Sequence, residues 1–234
     1  MRSITVLIML LLALAVRPLA AQEIAYQAVA VENYSESSGS ERFVGGEKAV
    51  SPKGLAVFGP FRVLDRTRAA LVGVTDAHSP TAFAAMVRAF PQIALLEMVD
   101  CPGTEDDRAN LRLGRMIRER GLVTYVPAGG SVRSGGVELF LAGVRRVAAP
   151  KAEFAVHAWM DEDGREAQDY APSAPENRKY LEYYRHMGLS ETQARSFYAM
   201  TNSVPHDQAR WLDGSEMAMW VRLDRHAGLA SVEG

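Results

Sequence analysis

Between Ala69 and Ala158 short apolar runs alternate with helical segments, and this alternation constrains the fold more than any other feature of the chain. Ala69 to Val74 (AALVGV) is a short apolar run. Pro80 to Phe90 (PTAFAAMVRAF) is patterned as a helix with proline in its first turn, and Ile93 to Val99 (IALLEMV) reads as a buried strand. Connections this short suit a crossover between parallel strands. The pattern then recurs. Thr104 stands in a capping position with Asp107 three residues on, and ANLRLGRMIRERG carries a helix to Gly121. Leu122 to Val126 (LVTYV) is a third strand. A glycine-rich loop follows, then a helix from about Ser134 to Ala142 closed by Gly143, then a strand over Phe154 to Ala158. The residues themselves do not repeat; only the rhythm does. It predicts an α/β domain whose strand ends meet helix N-termini in one crevice.

After Asp161 the character becomes helical. Tyr180, Tyr183, Tyr184 and Met187 fall on one face of an amphipathic helix, a stripe read as packing surface. Ser190 and Gln193 form a second capping pair, and a last helix is expected from Ser215 to Val221. The other end of the chain reads differently. Ile4 to Val16 is an apolar run of thirteen residues, preceded by Arg2 and followed by Ala20-Ala21. That is too short to span a bilayer but suits a signal peptide, residues 1–21, cleaved after Ala21. A membrane association is expected only if this segment stays uncleaved. Residues 22–60 form a polar extension rich in Ser and Gly, 61–223 the folded domain, and 224–234 a tail.

Net charge is −2 with no basic stripe, which removes the electrostatic case for nucleic acid. The single cysteine, Cys101, excludes an internal disulfide and a cysteine-based zinc site. The histidines at 78, 157, 186, 206 and 226 have no metal-ligand spacing, so neither metal nor cofactor is expected.

The chemistry concentrates in GGSVRSGGVELFLAG, residues 129–143. Ser134 lies at the start of a helix, where it is either a cap or a nucleophile. Gly135 offers an amide at a helix N-terminus, where developing negative charge is favoured. The segment DCPGT (100–104) offers a second set of amides, Gly103 and Thr104. His157, at a strand end, is either a half-buried structural histidine or a base at the same edge of the sheet. Val132 occupies the first glycine position of a G-x-S-x-G elbow, and the order of residues is wrong for an α/β-hydrolase, so that fold is rejected. A Walker loop fails as well, for want of GK[ST].

These segments together resemble the ClpP/crotonase superfamily, specifically an exported ClpP-like serine peptidase branch. The resemblance runs from about Ala69 to Val221 and rests on VDCPGTEDDRANLRLGRMIRERGL, VPAGGSVRSGGVELFLAGVRRVAAP, EFAVHAW and SVPHDQARWLDGSEMAMW. It implies a spiral of ββα units with C-terminal helices, Ser134 as nucleophile and His157, 23 residues later, as general base. Gly103 or Thr104, with Gly135, would hold the oxyanion. Ala209 stands where the peptidase aspartate is expected, so Asp207 is taken as the acid, with Asn202 a poorer choice. Thr104 replaces a glycine and would narrow the substrate groove or tilt the amide. Arg133, beside the serine, would recruit a substrate carboxylate or be solvated. The resemblance further implies a homo-oligomer and a peptide or small acyl substrate; the signal segment implies export, to the bacterial periplasm, and with no recognisable ATPase-docking feature cleavage is expected without an ATPase. The rival reading is a catalytically weak or inactive ClpP-fold module for peptide binding or assembly in the cell envelope. A crotonase-type acyl-CoA enzyme is a distant third, since it gives a Ser–His pair no role.

Overall fold

The computed structural model describes residues 52–225. The expected signal peptide and the polar extension up to residue 51 lie outside the described residues. Among the described residues no helix is long and apolar enough to cross a membrane.

The chain opens with two short strands, β1 (Ala56–Phe58) and β2 (Phe61–Val63), followed by β3 (Arg68–Val72). The first strand thus begins inside the segment expected to be extension. Helix α1 (Ser79–Ala89) leads to β4 (Leu95–Cys101), and α2 (Asp107–Glu119) leads to β5 (Val123–Val126). Each matches a segment of the alternating pattern. The cap of α2 is Asp106, whose carboxylate accepts from the Ala109 amide; Thr104, the expected cap, instead forms a parallel bridge with Thr75. At the far end Gly121 has φ 74°, the left-handed conformation that closes a helix.

The glycine loop holds an element its composition hides. Ser131–Arg133 is a three-residue strand, β6, before α3 (Gly135–Leu141). Then follow β7 (Arg145–Ala148) and β8 (Glu153–Val156), the helices α4 (Pro175–His186) and α5 (Glu191–Thr201), β9 (Arg210–Asp213) and α6 (Gly214–Trp220). The Ser190–Gln193 capping box forms as expected, and the tyrosine stripe of α4 is buried. Beyond α6, Asp224 is tied back to the Arg146 backbone.

The sheet forks at β4. Its first half, Leu95 to Glu97, pairs in parallel with β5, which pairs with β7. Its last two residues, Asp100 and Cys101, pair with β6, which pairs with β8 and then antiparallel β9. Before α3 and again before α4 the chain supplies one strand to each branch, β5 with β6 and then β7 with β8, so strand–strand–helix units recur. Phe61, Phe83, Phe140, Phe154 and Phe197 fill the core between sheet and helices. The fork matters for function because the C-terminal ends of β4, β6 and β8 converge beside the N-termini of α2 and α3.

Candidate active site

A cavity of about 730 Å³ opens at that convergence, lined by Ser134, Gly135, Thr104, His157 and His206 among others. Ser134 joins β6 to α3 and has φ 48° and ψ −129°. Among the described residues it alone has a positive φ without being glycine. Such a conformation costs roughly 1–3 kcal/mol and persists only where its surroundings impose it. Here the imposition is visible. The Ser134 amide donates to the Ala155 carbonyl at 2.9 Å, continuing the ladder between β6 and β8, while its carbonyl accepts from the Val137 amide as the helix begins. One residue must turn from extended strand to helix, and the turn pushes its side chain out. The hydroxyl makes no capping hydrogen bond, so Ser134 occupies the cap position without doing a cap's work.

Gly103 permits the approach from β4. It has φ 140°, and a Cβ there would lie 3.1 Å from Ser134 Cβ and 3.4 Å from its Oγ. The Gly103 carbonyl accepts from Thr75, and the Glu105 amide donates to the Thr75 carbonyl. In a parallel bridge of this kind the intervening residue, Thr104, turns its own amide to the opposite side. Thr104 lies against Gly135, where an added Cβ would come within 2.6 Å of the threonine methyl. Gly135 is the first residue of α3, so its amide has no intrahelical acceptor. Two donors, on Thr104 and Gly135, thus flank Ser134. The Thr104 hydroxyl donates to the Thr75 carbonyl at 3.1 Å, which fixes the side chain. Asn110 holds the Gly135 carbonyl from behind at 2.7 Å.

His157 follows the end of β8. The pairing of Arg133 with Ala155 sets Ser134 and His157 on adjacent strand ends at the same edge. The His157 Nδ1 lies 2.9 Å from the carbonyl of Ala158. A carbonyl only accepts, so Nδ1 carries the proton and Nε2 is the bare, basic nitrogen. His206 Nδ1 reaches the same carbonyl at 3.0 Å, and the two rings meet edge to face at 4.6 Å. His206 is itself anchored, its amide donating to Glu166 at 2.8 Å. Burial, above all, holds the His157 imidazole below the ordinary value of 6.5; the Ala158 carbonyl opposes this, and His206 adds to it. A base lowered in this way stays neutral further into acid. The acid limb of a kcat/KM profile is therefore expected below pH 6.5, and a limb above it would remove His157 from the role.

Two expected residues are elsewhere. Asp207 is exposed and outside the cavity lining; the groups that meet His157 are a backbone carbonyl and a second imidazole. The segment 203–209 presents His206 rather than its neighbour because the Val204 carbonyl accepts from the Ala158 amide, fixing which residue faces inward. Arg133 is neither solvated nor free for a substrate carboxylate. It turns back along β6 to pair with Asp100 at 3.3 Å, and its Nη1 donates to Ser131. Asn202 lines the cavity, its Nδ2 donating to the Tyr198 carbonyl and its buried Oδ1 without a protein partner.

Sequence reasoning missed His206 and Glu138. His206 gave one signal, its place immediately before the chosen Asp207. Glu138 is the lone charged residue in the apolar run of α3, and it is buried on the cavity wall. Among the described residues no group of His, Cys, Asp and Glu is arranged to hold a metal.

No family model matches the chain, and no curated protein matches it. Solved structures do. The chain is similar to 1510-N, a membrane-bound stomatin-specific protease, in a mutant bound to a substrate peptide, at 17% identity and a TM-score of 0.44, over 65% of this chain and 73% of that one. A second mutant of 1510-N matches at 14% identity and a TM-score of 0.47, over 71% and 82% of the two chains. A mutant of ClpP1 from Listeria monocytogenes matches at 15% identity and a TM-score of 0.49, over 69% and 91%. The described residues of this chain form an α/β domain whose forked sheet is flanked by helices.

Proposed function

We propose that this chain is an exported serine hydrolase that cleaves peptides without an ATPase. Ser134 Oγ attacks the substrate carbonyl carbon and gives its proton to His157 Nε2. The amides of Thr104 and Gly135 stabilise the oxyanion, and His157 then protonates the leaving amine. Water, activated by the same nitrogen, releases the acyl group. Orientation of the imidazole falls to the Ala158 carbonyl and His206 rather than to a carboxylate. Export of the chain and its assembly into a homo-oligomer belong to the same proposal.

The observation that carries the reading is the backbone of Ser134: a positive-φ serine that caps nothing and lines one cavity with Thr104, Gly135 and His157. The exposure of Asp207 favours the rival, a peptide-binding module with weak or no turnover. A fluorophosphonate probe separates them. Covalent labelling at Ser134 that disappears in His157→Ala is the expected result. Absence of labelling in folded protein would leave the binding module.

A further inference from the structure

One wall of the cavity holds two carboxyl groups, Glu138 and Asp107, that no cation contacts directly among the described residues. Glu138 lies one turn after Ser134 on α3 and is only 9% exposed. The Tyr184 hydroxyl donates to its Oε1 at 2.7 Å, and the Tyr183 hydroxyl donates to its backbone carbonyl at 2.7 Å, so both side chain and turn are fixed. Asp107, the first residue of α2, is held in the same wall by the Tyr180 hydroxyl. Among the described residues neither carboxylate joins an ion pair. Of the cations lining the cavity, Arg108 is exposed, and the Lys179 ammonium sits over the rings of Trp159 and Tyr180 at 5.3 and 4.9 Å.

A buried carboxylate without a counter-cation is expensive to ionise. Burial, with Asp107 adding repulsion, pushes Glu138 up to about 7. A core position that only had to accept from Tyr184 would be served by glutamine at no such cost. What a carboxylate adds is attraction for a cation, at a cavity wall one helical turn from the reacting serine. The walls suit the rest of such a group. Trp159, Tyr180 and Tyr198 stack in series, with centroids 5.9 and 6.1 Å apart, and aromatic faces accept both the apolar stem and the charged head of a basic side chain.

We propose that this wall receives a positively charged amino or guanidinium group of the peptide substrate, seated against Glu138 and Asp107. The inference rests on Ser134 and His157 as the reacting centre. Two sources share that chemistry, a lysine or arginine side chain beside the scissile bond and the free α-amine of a peptide N-terminus.

The test uses Nα-acetylated fluorogenic peptides with Lys, Arg, norleucine or Glu before the cleaved bond, and the norleucine peptide with a free α-amine. Lysine and arginine peptides are expected to exceed acetylated norleucine by at least about tenfold in kcat/KM, the ratio collapsing in Glu138→Gln. A gain confined to the free-amine peptide would assign the site to the N-terminus. Norleucine equal to or better than every cationic peptide would overturn the proposal, as would a preference that survives both Glu138→Gln and Asp107→Asn. Calorimetric binding of acetyl-lysine and acetyl-norleucine peptide amides to Ser134→Ala protein separates this site from the catalytic reading. Selective lysine binding, lost in Glu138→Gln, upholds the cation site even where no turnover occurs. Equal binding of the two refutes it even where Ser134 reacts with fluorophosphonate. Glutamine keeps an acceptor for Tyr184, so the variant is expected to fold, and near-ultraviolet circular dichroism checks that it does.

Discussion

Ser134→Gly is expected to be inactive yet more stable than Ser134→Ala. Both variants lose the hydroxyl, and loss of a nucleophile of this kind costs kcat about 10⁴- to 10⁶-fold. They differ in the backbone. Alanine keeps a Cβ at φ 48° and ψ −129°, so the strain remains; glycine reaches that region freely. Relief of strain is worth roughly 1–3 kcal/mol, and the greater freedom of glycine in the unfolded chain returns about 0.5–1 kcal/mol of it. The net expectation is that Ser134→Gly exceeds Ser134→Ala by about 1 kcal/mol, read from denaturant midpoints at constant slope. Equal midpoints would show that the turn at Ser134 stores no strain, and the structural support for an activated serine would go with it. Hydrolysis retained in either variant would remove Ser134 from the chemistry outright.

Gly114→Ala is expected to destabilise the domain by about 2–4 kcal/mol. In a helix interior the change from glycine to alanine normally gains about 1 kcal/mol. Gly114 lies in α2, where an added Cβ would come within 1.9 Å of the Tyr183 hydroxyl and 2.7 Å of its Cζ. Tyr183 has nowhere to go. It is fully buried, and its hydroxyl is bonded to the Glu138 carbonyl. The clash therefore outweighs the propensity gain. Adding Tyr183→Phe removes the nearest clashing atom and is expected to recover part of the loss, in a thermal or chemical denaturation cycle. Stabilisation by Gly114→Ala alone would mean that α2 and α4 do not pack as described. Because Tyr183 also pins the turn that carries Glu138, the same variant should loosen the cavity wall.

The spacing of apolar residues made most of the helices legible, since α1, α2, α4, α5 and α6 each bury one stripe and most carry a recognisable cap or proline. Strands β3, β4, β5 and β8 were legible as apolar runs. β6 was not, because Ser131–Arg133 is only three residues long and sits among glycines that read as loop. Its strand character comes from its neighbours, β4 on one side and β8 on the other. The cap of α2 was misread for a related reason. Thr104 and Asp106 both belong to the residue types that cap helices, and the bridge to Thr75, 29 residues away, decides between them.

The site divides along the same line. Ser134, His157, Gly135 and the Thr104 segment were legible because each follows a strand, and parallel strands deliver their ends to one edge. Asp207 was taken as the carboxylate nearest the position that the resemblance marks at Ala209, and nearness along the chain says nothing about which of two adjacent residues faces inward. The hydrogen bond from the Ala158 amide to the Val204 carbonyl made that decision in favour of His206. Arg133 looked available beside the serine, but strand alternation puts it on the same face as Ser131, whose register partner in β4 is Asp100, and there it pairs with that carboxylate.

By itself the sequence determined the α/β rhythm, the placing of a serine and a histidine at strand ends, and the lack of ligand spacing for a metal. These are local properties of period and residue type. Only the tertiary structure decided that Ser134 is strained and uncapped, that a carbonyl and a second imidazole orient His157, and that Glu138 is buried without a counter-cation. Ser134 bonded to Ala155, His206 beside His157 and Tyr184 on Glu138 are meetings of residues held apart by about twenty or fifty others, and no local pattern encodes them.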